Sequence, residues 1–192
     1  MNNKIRHIEK TVLSDNWYTL NKYSFEYQNH QGLWQRQERE AYDRGNGATI
    51  LLYNKPKRTV ILTRQFRLPT YINGNVDGML IETCAGLLDQ HNPEACIKKE
   101  TEEETGYRLN SVQKVFEAYM SPGSVTEILY FFVGEYDDSM RVSSGGGLVD
   151  EQENIEVLEL ALTEAINMVA NGEIKDGKTI MLLQYAQLNQ LC

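Results

Sequence analysis

The chain has 192 residues, 41% hydrophobic and 24% charged, and its 19 basic and 27 acidic residues leave a formal charge of −8. That fits one compact domain, or one domain with an added substructure, that folds without disulfides or a structural metal, and it argues against a nonspecific nucleic-acid binder, whose surface would be basic. Cys84, Cys96 and Cys192 form no CxxC, His7, His30 and His91 lie far apart, and neither a signal-peptide core after Met1 nor a membrane-length apolar run is present, so a reducing, cytoplasmic setting with no membrane partner is expected.

Residues 4–47 alternate apolar and polar positions through Trp17-Tyr18-Thr19-Leu20 and Tyr23-Ser24-Phe25-Glu26-Tyr27, break at Asn29-His30-Gln31-Gly32, and resume over 33–42. The pattern predicts two or three antiparallel strands with one hairpin. After Gly45-Asn46-Gly47, the apolar runs 48–53 and 59–63 predict buried strands of a second sheet. Residues 68–78 read as a loop, and 79–85 as a short strand ending at Gly86. Asn92-Pro93 predicts a helix start, since Asn caps and Pro is tolerated at the first position; the helix runs to about Thr105 and stops at Gly106. Strands are expected near 112–119 and 125–136, a polar loop over 138–154 containing Gly145-Gly146-Gly147, a strand over 155–162, and helices over 163–170 and 178–191. Strands and helices mix without regular alternation, which predicts a mixed sheet with helices packed on it.

The segment Lys98-Lys99-Glu100-Thr101-Glu102-Glu103-Glu104-Thr105-Gly106 places four glutamates in the five residues 100–104. Helical spacing brings Glu100, Glu103 and Glu104 to one face and turns Glu102 away. Like charges at that spacing repel. The face is either open to water, with Lys98 and Lys99 as partial counterions, or its charge is offset by a hard cation that takes oxygen ligands, such as Mg2+ or Mn2+.

Residues 86–107 resemble the Nudix box of the Nudix hydrolases. Glu100, Glu103, Glu104, Gly106 and Tyr107 match the C-terminal half of that pattern in order. The interval from Gly86 to Gly106 is one residue short, Lys99 replaces an arginine, Thr101 an apolar residue, and His91 the first glutamate, with Asp89 and Glu94 as substitutes for its structural role. Leu13-Ser14-Asp15-Asn16-Trp17, residues 39–47, Arg64-Gln65-Phe66-Arg67, Met120-Ser121-Pro122-Gly123 and residues 172–179 are similar to the ADP-ribose pyrophosphatase branch of the family, so the likeness spans nearly the whole chain.

The resemblance implies an α/β (α+β) fold: a Nudix α/β/α sandwich with a mixed sheet over 48–192, preceded by an N-terminal antiparallel β-rich portion over 1–47 that serves dimerisation and substrate binding. It implies Mg2+-dependent hydrolysis (Mn2+ being the alternative ion) of a nucleoside diphosphate sugar, GDP-mannose to GMP and mannose 1-phosphate. ADP-ribose is the alternative substrate, and a noncatalytic nucleotide-sensing module the alternative of another class. The partners implied are the nucleotide sugar and a second copy of the chain.

By the same resemblance, the metal ligands are the Ala85 carbonyl, Glu100, Glu104 and Glu151, and the general base is Glu127, Glu103 or Glu153. The substrate contacts are Trp17, Glu38, Arg39, Glu40, Arg67, Ala85, Gly86, Leu87, Glu104, Glu127, Asp150, Glu151 and Asp176. Read without the family, each has a plainer alternative. Arg39 and Arg67 suit a diphosphate because guanidinium forks onto phosphate oxygens, or they make ordinary strand-edge ion pairs. Trp17 stacks on a purine or packs in a core or dimer contact. Glu127, in a loop where Ser124 replaces the family's glycine, orients water or is a turn acid. Asp150-Glu151-Gln152-Glu153 is a ligand-bearing or a merely flexible acidic loop, which the glycine run lets close over substrate or simply connects. Asp176 reaches the partner subunit's site or sits in a turn.

Overall fold

Backbone contacts in the computed structural model, which describes residues 4–88, 92–148, 150 and 152–192, divide the chain into two units: Met1–Asn46 with Tyr119–Ile128, and Gly47–Ala118 with Leu129–Cys192. The first unit holds β1 (Ile5–Asp15), β2 (Thr19–Gln28) and β3 (Trp34–Asp43), an antiparallel sheet in the order β1-β2-β3. It therefore contains two hairpins where the alternation predicted one. The first is hidden because β1 is exposed almost throughout and shifts register between Arg6 and Glu9 and again between Val12 and Ser14, which breaks its apolar period. The second turn follows its chemistry: Asn29 Oδ1 accepts from the backbone N–H of Gln31 and of Leu33, and Gly32 takes a φ of 80°. Residues 121–126 attach to β3, with Tyr42 donating to the Ser124 carbonyl at 2.7 Å and Thr126 donating to the Tyr42 carbonyl at 3.1 Å. Their backbone is thus spent outside any long strand, and the strand expected from 125 begins only at Ile128.

The second sheet has seven strands: β4 (Gly47–Asn54), β5 (Thr59–Phe66), β6 (Met79–Glu82), β7 (Cys84–Leu87), β8 (Gln113–Tyr119), β9 (Ile128–Glu135) and β10 (Glu156–Ala161). The order is β10-β5-β4-β9-β8, with β6 on β5 and β7 on β4. β4 runs parallel to β9 and antiparallel to β5 and β7, so the sheet is mixed. The helices are α1 (Leu68–Ile72), α2 (Pro93–Thr105), α3 (Leu162–Ala170) and α4 (Gly177–Leu188).

All eight residues of β4 are buried, as a central strand covered on both faces requires. Ala48, Ile50 and Leu52 pack with Ile97 of α2, Tyr107, Phe132 and Tyr136. Phe131, on the opposite face by strand alternation, meets Phe116 at 4.6 Å, and Phe116 meets Tyr185 of α4 at 6.2 Å. Helices therefore cover both faces, the layered arrangement expected for residues 48–192.

Two local expectations are corrected. Residues 68–78 contain the short helix α1, whose Pro69 presets the backbone of its first turn. The single strand over 79–85 is two strands separated at Thr83, because the Thr83 N–H leaves the sheet for Thr179 Oγ1 at 2.7 Å. The chain then passes from pairing with β5 to pairing with β4.

Candidate active site

The α2 helix starts and stops where its sequence directs. Asn92 Oδ1 accepts from the Ala95 N–H at 2.8 Å, and Gly106 ends the helix with a φ of 79°. Its four glutamates then separate. Glu104 is 2% exposed and faces Cys84 of β7. Glu100 lies against Gly86: a Cβ there would stand 2.2 Å from the Glu100 carboxyl carbon, so only glycine allows this approach. Glu103 pairs with Lys99 at 2.9 Å, and Glu102 with Arg108 at 2.6 Å. Thr101, at the position where the family pattern is apolar, buries its hydroxyl by donating to the Ile97 carbonyl at 2.6 Å.

Burial pushes the Glu104 carboxyl up to about 8; the charges of Glu100 and Glu153 add to this, while a hydrogen bond from Cys84 and the charge of Arg67 oppose it. Burial raises the Cys84 thiol as well, with Glu104 and Glu100 contributing. Glu153 belongs to this group of charges. Its Oε2 accepts from the Leu148 N–H at 3.0 Å, so the carboxylate that bears on Glu104 also shapes its own loop. The structure thus brings together Ala85, Gly86, Glu100, Glu104, Glu153 and Arg67 in the second unit. Leu87 follows Gly86, and its carbonyl accepts from the Cys96 thiol at 3.1 Å.

Arg67 follows β5, at the N-cap of α1, and donates from Nε to Glu82 Oε2 at 2.6 Å. Glu82 is 3% exposed, and its Oε1 accepts from Lys178 Nζ at 2.5 Å. Lys178 also pairs with Asp176 at 3.0 Å. Asp176 caps α4, its Oδ2 accepting from Thr179 N at 3.0 Å and Thr179 Oγ1 at 2.6 Å, so these contacts of Asp176 are made within its own chain. Sequence reasoning missed Glu82, Lys178 and Cys84. The available signal was a lone acid closing the apolar strand Met79-Leu80-Ile81-Glu82, since a buried charge demands a partner.

In the first unit, Trp17 is 86% exposed and touches Tyr18 edge-on at 6.3 Å. Glu38 accepts from Ser24 Oγ at 3.0 Å, and that hydrogen bond, with the charge of Lys22, lowers its pKa. Arg39 is exposed and bonds the Glu38 carbonyl and Gln37 along its own strand. Glu40 is exposed and stands opposite Lys22. Glu127 is held by Arg44 at 3.6 Å. Asp150 is exposed, Glu94 pairs with Lys98 at 2.7 Å, and Glu151, His91 and Asp89 lie outside the described residues.

Among the described residues no three His, Cys, Asp or Glu side chains converge to hold a metal ion. The two carboxylates present fit a hard divalent cation. Glu104 Oε2 is buried with no hydrogen-bond partner among the described residues, which is costly for an oxygen without a ligand, and the adjacent Glu100 adds negative charge. A separate concavity at α3 and the end of α4 is lined by Lys55, Arg58 and Cys192 among others and by no Asp or Glu side chain. No helix of the described residues is long and apolar enough to cross a membrane.

Residues 4–42 match the GDP-mannose pyrophosphatase NudK N-terminal domain, and residues 43–183 match the NUDIX domain. The chain is 60% identical over 191 residues to a GDP-mannose pyrophosphatase of Yersinia enterocolitica, covering 100% of this chain and 99% of the relative. It is 61% identical over 186 residues to one of Pectobacterium atrosepticum, covering 97% of this chain and 95% of the relative. With a Nudix domain over most of its length and full-length likeness to these relatives, the chain belongs to the Nudix hydrolase family.

Proposed function

We propose that the chain hydrolyses the diphosphate bond of GDP-mannose to GMP and mannose 1-phosphate, using Mg2+. The observation that carries the proposal is the buried Glu104 oxygen, without a hydrogen-bond partner among the described residues, beside Glu100, Glu153 and Arg67, in a chain whose full-length relatives carry the name GDP-mannose pyrophosphatase. Glu100, Glu104, the Ala85 carbonyl and Glu151 would hold the ion. Bound there, a divalent cation neutralises diphosphate charge and lowers the pKa of a coordinated water.

The protein's own groups do the rest. Arg67, anchored through Nε, presents its remaining N–H groups to the diphosphate, with Arg39 as the second clamp, and orientation lowers the entropic barrier. Water is deprotonated by Glu127, Glu153 or Glu103. Glu153 already bears on Glu104 electrostatically, whereas Glu103 engages Lys99 and Glu127 engages Arg44. Trp17, Glu38, Glu40, Asp150 and Asp176 complete the contacts to base and sugar. Residues 1–47 serve dimerisation and substrate binding, a role supported by the exposed Ile5, Ile8, Val12 and Leu13 of β1. A cytoplasmic setting accords with three cysteines that stay thiols.

The test is ³¹P NMR of the protein with Mg2+ and equimolar GDP-mannose and ADP-ribose, with light scattering for the dimer. GMP and mannose 1-phosphate appearing first is the expected result. Faster loss of ADP-ribose would overturn the substrate while keeping the chemistry. No change in either substrate would make a noncatalytic nucleotide-binding module the leading reading, to be checked against a wider panel of nucleoside diphosphate substrates.

A further inference from the structure

We infer that Glu82 is a positioning residue: clamped between Arg67 and Lys178, it locks the guanidinium of Arg67 in the attitude that receives the diphosphate. The inference rests on the reading of Arg67 as a diphosphate ligand given above.

Three separate segments meet at this carboxylate. Glu82 ends β6 and is paired in register with Thr63 of β5. Arg67 follows β5, its backbone N–H donating to the Gly78 carbonyl at 2.8 Å and its carbonyl accepting from Thr70 Oγ1 at 2.9 Å. Lys178 lies in the first turn of α4. The two oxygens of Glu82 are divided between the cations: Oε2 accepts from Arg67 Nε at 2.6 Å and Oε1 from Lys178 Nζ at 2.5 Å.

The division matters chemically. A guanidinium has five N–H donors in a rigid plane. Glu82 takes the one on Nε, and the four on the Nη atoms have no hydrogen bond to described residues. Arg67 has 40% of its side chain exposed whereas Glu82 has 4%, so a buried carboxylate anchors a partly exposed arginine. A flexible arginine would lose rotamer entropy on gripping a phosphate; one held by its inner edge has already lost it.

Lys178 explains how the anchor persists. A buried carboxylate facing a single, half-exposed cation is poorly compensated. Lys178, with 12% of its side chain exposed and also paired with Asp176, supplies the second charge from inside. Arg67, Lys178, Glu82 and Asp176 together sum to zero charge. Arg67 can therefore meet an anionic ligand through its Nη groups while its Nε stays on Glu82.

The test is a mutant cycle on the full-length protein with Mg2+ and whichever of GDP-mannose and ADP-ribose the wild type cleaves faster. Glu82→Gln, nearly isosteric, should lower kcat/KM between about ten- and a hundredfold, and Arg67→Ala by at least as much. The double variant should be no worse than Arg67→Ala within about twofold, because the anchor has nothing left to position. A second readout is independent of turnover: the Arg67 Nε–H resonance, assigned by its loss in Arg67→Lys, should be slow to exchange in the wild type and fast in Glu82→Gln. Should Glu82→Gln fold poorly by circular dichroism, Glu82→Gln/Lys178→Met, which removes both buried charges, takes its place in the cycle. Losses that multiply in the double variant, or an Nε–H signal unchanged by Glu82→Gln, would overturn the inference alone. A wild type that cleaves neither substrate would overturn the functional reading and this inference with it.

Discussion

Gly146 donates its backbone N–H to the carbonyl oxygen of Glu104 at 2.8 Å, and Gly147 does the same for Glu103 at 3.1 Å. The last turn of a helix leaves carbonyls without partners, and here the glycine run supplies them. The run is a clasp on the end of α2, and through Ile155, which donates to the Gly146 carbonyl at 3.1 Å, it ties that end to the loop carrying Glu153. The helix turn that presents Glu104 and the loop that presents Glu153 are thereby fastened to each other.

Gly145 sits at the closest point of the clasp. Its φ is 68°, and a Cβ would stand 2.5 Å from the Glu104 carbonyl oxygen. Gly145→Ala should cost at least about 1–3 kcal/mol from backbone strain alone, read by urea unfolding. Gly123→Ala, where a Cβ meets nothing within 4 Å, should change little and serves as the control.

Gly86→Ala tests the approach of β7 to Glu100. The added methyl would occupy the place of the Glu100 carboxylate. The expected outcome is Mg2+ affinity weakened by about 10–100-fold, measured as the Mg2+ dependence of turnover. Unchanged Mg2+ affinity would remove Glu100 from the cation site.

Glu104 makes metal-free stability fall with pH. Unfolded, its carboxyl releases its proton near 4.5; folded, it holds the proton to about 8. Between those values the folded chain binds one proton more, so rising pH favours unfolding. Thermal unfolding in EDTA should show a midpoint that declines over this window. Glu104→Gln should flatten the decline while lowering Mg2+-dependent turnover at least about a hundredfold; near-wild-type turnover in that variant would rule out Glu104 as a ligand.

Thr179 joins α4 to the sheet. It accepts the Thr83 N–H and donates to Asp176, and Thr83 Oγ1 lies 2.8 Å from Thr49 Oγ1 in the buried interior. Thr179→Val keeps the volume but strands the Thr83 N–H, at an expected cost of about 1–3 kcal/mol. Denaturant unfolding checks it, and a loss under about 0.5 kcal/mol, the range of ordinary surface changes, would show that the link between α4 and Thr83 is dispensable.

The sequence alone determined what depends on local chemistry and periodicity. The start of α2 at Asn92 and its end at Gly106 follow from a side chain that caps and a residue that accepts positive φ. The burial of 48–53 follows from an apolar run interrupted only by Thr49, and the glutamate spacing of 100–104 assigned the chemistry of the helix. Only the tertiary structure decided how those glutamates divide. Helical spacing groups Glu103 with Glu100 and Glu104, yet Glu103 pairs with Lys99 while Glu104 is enclosed beside Cys84. Spacing assigns residues to a face, but the strand that covers the face selects which of them loses its water. Tertiary structure alone likewise joined Arg67, Glu82 and Lys178, because charges far apart in sequence meet only when the sheet and α4 bring them together, and a buried carboxylate is tolerable only once both its cations have arrived.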